Sequence, residues 1–367
     1  MNLLARQAES LFWLGRYIER ASSLARIIMV QTAFDRGRAN GSSWGWLLAL
    51  YDESNDFHKR YDEASSENVI RYFLNDPEHA GSVLRSLEAA RSNARALRAM
   101  IATDFWMHSN RAYRRVKELP DSALNEMRLA ATSEAIQIDC YALLGISSST
   151  LYRDAGWRFF QLGLEIERAD QMSRLLDVRF AQSQIGEADG ELIGDFAHWT
   201  MLLRACGGHH AYRRLVSGPL QPRNVARFLI FEKSFARSIS HCLRSVDQSV
   251  GELRKICRVP TPDRLLVRIS DLKALVKQAR KDPELVAHLH GFNDTVQRHL
   301  AELTQELSSC YFEVEVAADV AEAATAPASE VPDWVENGQP ADDRDDNQDT
   351  HRVTDVDPSQ SQSQSQT

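Results

Sequence analysis

Leu11-Phe-Trp-Leu-Gly-Arg-Tyr-Ile-Glu-Arg-Ala-Ser-Ser-Leu-Ala-Arg-Ile-Ile-Met-Val30 and Phe159-Phe-Gln-Leu-Gly-Leu-Glu-Ile-Glu-Arg-Ala-Asp-Gln-Met-Ser-Arg-Leu-Leu-Asp-Val178 share nine of twenty residues at an offset of 148. At 100° per residue, Leu11, Leu14, Ile18, Ala21, Ala25 and Ile28 lie on one helical face, and Trp13, Tyr17, Leu24 and Ile27 on a second. A helix apolar nearly all round is a buried helix, so each Glu-Arg pair sits in or beside a core.

Working outward, Trp44-Gly-Trp-Leu-Leu48 matches Trp199-Thr-Met-Leu-Leu203 at offset 155, and Asn68-Val-Ile-Arg-Tyr-Phe-Leu matches Asn224-Val-Ala-Arg-Phe-Leu-Ile at offset 156. Similar blocks at a nearly fixed offset indicate internal duplication. The boundary falls between Gly145 and Ser149, giving two halves, 1–147 and 148–316, expected to pack about a pseudo-two-fold axis. Runs of alternating β-branched residues are absent, and 3.6-residue periodicity predicts helices at about 3–35, 43–61, 66–75, 77–111, 121–146, 148–183, 191–217, 222–231, 233–257, 263–281 and 283–309. Asp76-Pro77-Glu78, Thr261-Pro262-Asp263 and Asp282-Pro283-Glu284 each place a capping residue before proline, a helix-start signal. The expectation is an all-α protein, a duplicated multi-helix bundle.

Composition bounds the rest. The 367 residues are 43% hydrophobic, enough to bury a real core. Residues 317–367 hold twelve acids and two arginines, so they carry the whole net charge of −8 and leave the remainder near +2. That segment ends in the Ser-Gln repeat Ser359 to Gln366 and reads as a disordered acidic tail. A near-neutral body lacks the broad basic footprint of a nucleic-acid binder. No segment approaches about 18 uncharged apolar residues, and no signal peptide is legible, which predicts a cytoplasmic protein with no membrane span. Five cysteines without CxxC spacing predict reduced, mostly buried thiols.

The Glu-Arg pairs carry the chemistry. Neighbours at i,i+1 diverge by about 100°, so Glu19 cannot simply pair with Arg20; each must find a partner on another helix. Glu19 shares a wedge with Gly15, Ser22, Ser23 and Arg26. In the second half the wedge holds Gly163, Glu167, Asp170, Arg174 and Asp177, with Arg168 beside it. The first half answers with an arginine stripe, Arg91, Arg95 and Arg98, beside Asn93, where the second half has Asp247, Gly251 and Arg254. Two readings stand. One is a buried ion network fixing the register of the halves. The other is a polar pocket in which Glu19 or Glu167 acts as general base and the arginines clamp an anion, or in which the acids hold a Mg²⁺ bridged to anionic groups. Gly207-Gly208-His209-His210 reads as a solvent-facing helical segment. Trp13, Trp44, Trp46, Trp106, Trp157 and Trp199 read as core. No Walker A, GxGxxG, HExxH or GxSxG run occurs, so no familiar nucleotide loop is present.

The run from Ala8-Glu9-Ser10-Leu11 through Glu19-Arg20-Ala21 resembles the opening signature of the bacterial alpha-E family, a helical domain named for its Glu-Arg motif. Ala90-Arg91-Ser92-Asn93-Ala94-Arg95, Ile166-Glu167-Arg168-Ala169-Asp170 through Val178, and Tyr212-Arg213-Arg214 add to the likeness, which spans about 1–312. Phe228 to Glu232 followed by Arg237-Ser238 resembles another block, with Glu232 and Ala236 where Asp and Pro are expected. The resemblance implies partners: a circularly permuted ATP-grasp ligase and a transglutaminase-like protein, hence an ATP-dependent peptide- or amide-forming system. It assigns no activity to the helical domain itself. The chain is therefore expected to be a partner that binds the ligase or its peptide-like substrate or product. The alternatives are an independent enzyme acting on an amide, peptide or carboxylate, and a purely structural helical scaffold.

Overall fold

In the computed structural model, which describes residues 3–35, 44–186, 192–257 and 263–313, the first apolar run forms helix α1, Ala5–Asp35, and its counterpart forms α8, Ala155–Gly186. Neither is interrupted by proline, and each starts on a side-chain cap. Gln7 Oε1 accepts from Leu4 N at 3.1 Å, and Asp154 Oδ1 accepts from Gly156 N at 2.8 Å. Between them lie α2 (Gly45–Tyr51), α3 (Ser54–His58), α4 (Ser66–Leu74), α5 (Val83–Ala96), α6 (Thr103–Lys117) and α7 (Glu126–Thr150). After α8 come α9 (Leu192–Ala205), α10 (His209–Leu215), α11 (Pro222–Phe231), α12 (Ile239–Ile256), α13 (Asp263–Ala279) and α14 (Leu289–Tyr311). The described residues contain no strand. The class is all-α, as the periodicity requires.

Helices α1 and α8 lie side by side and run in the same direction, since Phe12 meets Gly163 at one end and Gln31 accepts from Arg179 at the other. Around them, α1 packs on α5 and α7, α5 on α6, and α6 on α7; the same neighbour relations hold for α8, α12, α13 and α14. Helix α2 leans on α8, and α9 on α1. Phe12, Leu14, Ile18, Ala25, Phe160, Leu162, Ile166 and Leu176 build the core where the central pair meets its flanking helices. The described residues all fall in one unit, and the acidic tail at 317–367 lies outside them. Among those residues no helix is long and apolar enough to cross a membrane.

Several expected helices are broken, each for a local reason. Two of the three proline signals are turns: Asp76 Oδ1 accepts from Glu78 N, and Asp282 Oδ1 from Glu284 N, both at 2.8 Å, so the helices start later, at Val83 and Leu289. The expected 77–111 helix also ends at Ala96, because buried Leu97 turns the chain and α6 folds back along α5. The 43–61 helix divides at Asp52, whose φ is 57°. The 191–217 helix ends at Gly207, φ 69°, where Gly207 N bonds Arg204 O and Gly208 N bonds Leu203 O, a Schellman stop. His210 is exposed and His209 half-buried on the short helix that follows. Trp44, Trp46 and Trp199 are buried, whereas Trp13, Trp106 and Trp157 are partly buried against the core. All five cysteines are free, with Cys257 the least buried.

Candidate functional site

Where α1 and α8 touch, each has a glycine against the other's backbone. A Cβ on Gly15 would overlap the Phe160 carbonyl oxygen, and a Cβ on Gly163 the Phe12 carbonyl oxygen. Backbone cannot rotate aside, so this close approach is available only to glycine. One turn later along each helix comes the glutamate, and at that separation the two Glu-Arg pairs exchange partners across the crossing. Glu167 accepts from Arg20 Nε at 2.7 Å and Nη2 at 3.0 Å, while Glu19 accepts from Arg168 Nε at 3.0 Å.

Each carboxylate then takes a second guanidinium from a different place. Arg16 Nε donates to Glu167 at 2.8 Å, and Arg237 Nη1 donates to Glu19. Gln171 and Ser23, each four residues from the glutamate on its own helix, complete the sets at 3.2 and 3.1 Å. Arg237 is delivered by a pinned turn: Glu232 takes the Ser234 N–H at 2.9 Å, and Ser238 caps α12 through His241 N. Glu232 thus supplies the turn-forming carboxylate at a position where Asp is expected. The buried Arg26 lies beside Glu19, donating to Ala205 O at 2.7 Å, Ser23 Oγ at 3.2 Å and Tyr141 OH at 3.4 Å. Arg174 pairs with Asp170 at 2.9 Å next to Glu167.

Both glutamates are 0% exposed. Burial raises the Glu19 carboxyl, but Arg237, Arg168 and Arg26 outweigh it and hold the group at about 2. Glu167 is likewise raised by burial and brought down to about 2 by Arg20 and Arg16. Arg20 is held above its ordinary value by Glu167 against the opposing effect of burial. A carboxylate held that low is a poor proton acceptor at neutral pH, and neither glutamate reaches solvent. The acids are also committed: those of Glu19 and Glu167 to guanidinium groups, and that of Asp170 to Arg174. A Mg²⁺ here would have to displace an arginine, so these residues do not fit the expected ion. The arrangement locks two helices; it does not present a reactive group.

The remaining expected members lie elsewhere. Asp177 Oδ1 meets His290 Nδ1 at 2.8 Å, and Asp294 Oδ2 meets Nε2 of the same ring at 3.5 Å. The two carboxylates raise the His290 pKa, Asp177 through its hydrogen bond and Asp294 through its charge, and the three side chains bring one ligand atom each within 4.8 Å of one another in a largely exposed cluster, apart from the Glu-Arg crossing. The α5 stripe does not face the acids. Arg91 Nε donates to Asn110 at 2.6 Å, with its guanidinium 5.5 Å from the Trp106 ring and 5.4 Å from Tyr113. Arg95 is exposed and Asn93 half-buried. The stripe turns to α6 because the chain bends at Leu97. Arg16 and Arg237 were not among the expected members. Leu164 stands where Arg16 would repeat, so comparing the halves hides it, and Arg237 gave its only signal as part of the 228–238 block.

The chain is 24% identical to uncharacterised proteins of Mycobacterium tuberculosis (strain ATCC 25618 / H37Rv) and Mycobacterium bovis over 318 residues, 81% of this chain. It spans about a third of their length, 34%. No solved structure matches it. The family model that matches residues 3–312 is described as a predicted alpha-helical domain with a conserved ER motif. Two such Glu-Arg motifs meet at the α1–α8 crossing, and the chain belongs to the Alpha-E family.

Proposed function

We propose that this chain is the binding, non-catalytic member of an ATP-grasp-dependent peptide or amide ligation system. It would work in the cytoplasm, where ATP is at hand, and hold the ligase or its peptide-like substrate or product. The observation that carries the non-catalytic part is the commitment of both buried glutamates to arginines. The absence of a nucleotide loop from the sequence agrees with an ATP-using partner, for which the circularly permuted ATP-grasp ligase and the transglutaminase-like protein are the candidates. We further read the fold as two copies of one seven-helix unit about a pseudo-two-fold. The reciprocal glycines, the exchanged Glu-Arg pairs and the repeated neighbour relations support that reading.

The test is co-purification with a circularly permuted ATP-grasp ligase and measurement of ADP release with and without this chain. Association together with altered turnover is expected. Neither association nor any change in turnover would overturn the proposal. An amide- or peptide-directed activity of the isolated chain, lost in Glu19→Gln with its melting temperature kept, would replace it with the enzyme reading.

A further inference from the structure

Two clefts lie on matching helix pairs, one between α5 and α6 and one between α12 and α13, and both are lined by cations. The α5/α6 cleft, about 550 Å³, is bordered by Arg91, Arg111, Arg114 and Lys117, with Glu118 as its one carboxylate. The α12/α13 cleft, about 660 Å³, is bordered by Lys233, Arg244, Lys273, Lys277 and Arg280, with Asp247 as its one carboxylate. Asp247 is spent on Lys273 at 2.5 Å. Arg111 and Arg114 have no ion-pair partner among the described residues, and neither has Lys277.

The positive charge recurs although its residues differ: the sequence match puts Arg91 and Asp247 at equivalent places, and the cations of the sixth helix in each half restore the sign. In a body of about +2, such local excess is a concentrated feature. It is also held in shape. Asn110 and the rings of Trp106 and Tyr113 fix Arg91, while the Phe231 carbonyl accepts from Arg280 Nη2 at 2.6 Å and the Lys233 carbonyl from Arg244 Nη2 at 2.7 Å. Held guanidinium groups suit carboxylates, which they grip in pairs of parallel hydrogen bonds.

Nucleic acid fits less well. Arg91 and Arg98 lie over Trp106, and Arg91 and Lys117 over Tyr113, so these rings are already engaged by cations and offer no open platform for a base. From Arg111 to Lys117 the row of cations spans only about 9 Å of helix, too short to follow a duplex backbone.

We infer that the α5/α6 and α12/α13 clefts are paired docking sites for an acidic polypeptide segment of a partner protein, gripped through its side-chain carboxylates. Such docking does not depend on the partner being a ligase.

The test is fluorescence anisotropy of the full chain with fluorescein-labelled deca-glutamate at low ionic strength, beside an uncharged Ser-Gly peptide and deca-thymidylate. Deca-glutamate is expected to bind, with an affinity that falls steeply with salt, and the Ser-Gly peptide to remain free. Arg111→Glu with Arg114→Glu, and separately Lys233→Glu with Lys277→Glu, should each weaken binding by about tenfold or more. All four side chains are exposed, so circular dichroism and melting should be unchanged. Lys59→Glu with Arg128→Glu, charge-matched and outside the lining of both clefts, should leave binding intact. Absence of deca-glutamate binding, binding of the Ser-Gly peptide, equal loss in the control variant, or thymidylate binding as tight as glutamate would overturn the inference. A loss through only one of the two clefts would overturn their pairing.

Discussion

Replacing Glu19 with Gln keeps the side chain's shape and removes its charge, leaving Arg168, Arg237 and Arg26 facing a neutral amide in a buried site. The cost can be worked two ways. The folded protein holds this carboxyl at about 2 against 4.5 for the free side chain, which through proton linkage corresponds to about 3 kcal/mol of stability. Breaking one member of a buried ion pair costs roughly 3–5 kcal/mol in other proteins. The agreement sets the expectation at about 3 kcal/mol at pH 7, or a drop in melting temperature of about 5 °C for a helical unit of this size. The sign with pH follows from the lowered value. The contribution is complete above 4.5 and is lost as pH falls toward 2, so wild type and Glu19→Gln should converge through that window. Urea denaturation followed by tryptophan fluorescence at pH 7, 5, 4 and 3 measures both. A pH 7 difference below about 0.5 kcal/mol, or a gap that stays constant to pH 3, would refute the ion-lock reasoning.

Gly163→Ala forces a methyl group into the Phe12 carbonyl and should cost about 3 kcal/mol or more, whereas Gly145→Ala, with open space at the exposed face of α7, should stabilise by up to about 1 kcal/mol; thermal melts of the pair decide it. Cys257 is the half-buried thiol and should label first with a thiol-reactive dye. Cys140, Cys206 and Cys242, pushed up by burial, should label only on unfolding, as peptide mapping by mass spectrometry would show. Arg91→Ala loses the Asn110 hydrogen bond and two ring contacts, and should cost about 1–2 kcal/mol in denaturant melts while altering Trp106 fluorescence.

What the residues disclose depends on how local the cause is. Helix α11 runs from Pro222 to Phe231, where periodicity places it, because that signal acts within a turn or two. The proline-based starts at Pro77 and Pro283 mislead because an Asp-Pro-Glu triplet closes a turn as readily as it opens a helix, and only the later cap, Ser82 in the first case, tells them apart. The helical wheel requires Glu19 and Arg20 to look outward for partners but cannot say that each finds the other copy's motif. That choice depends on two helices approaching to backbone contact, which no single helix encodes. Arg91 shows the same limit from the other side. Its spacing suits a face toward the acids, yet the bend at Leu97, written in no local breaker, brings Trp106 and Tyr113 against it instead.

Glycine and glutamate divide the labour at the crossing. Close backbone packing sets how near α1 and α8 come, and because only glycine fits at the contact it also resists sliding; the glutamates then decide which charges that approach brings together. A one-residue change of register, in which α8 turns by about 100° as it advances about 1.5 Å, would carry Glu167 away from Arg16 and Arg20, and Arg168 away from Glu19. Glu167, Arg16 and Arg20 would then lose these ion pairs together and Glu19 and Arg168 one each, at a cost of several kcal/mol, which adds to packing in separating the in-register arrangement from its nearest competitor. The two locks are not copies. Arg16 is contributed by the same helix as Arg20, while Arg237 reaches Glu19 from the turn before α12. The Glu19 lock therefore ties that turn to the central pair as well as fixing register, and loosening Arg237 should free the turn without uncoupling Glu167 from Arg20.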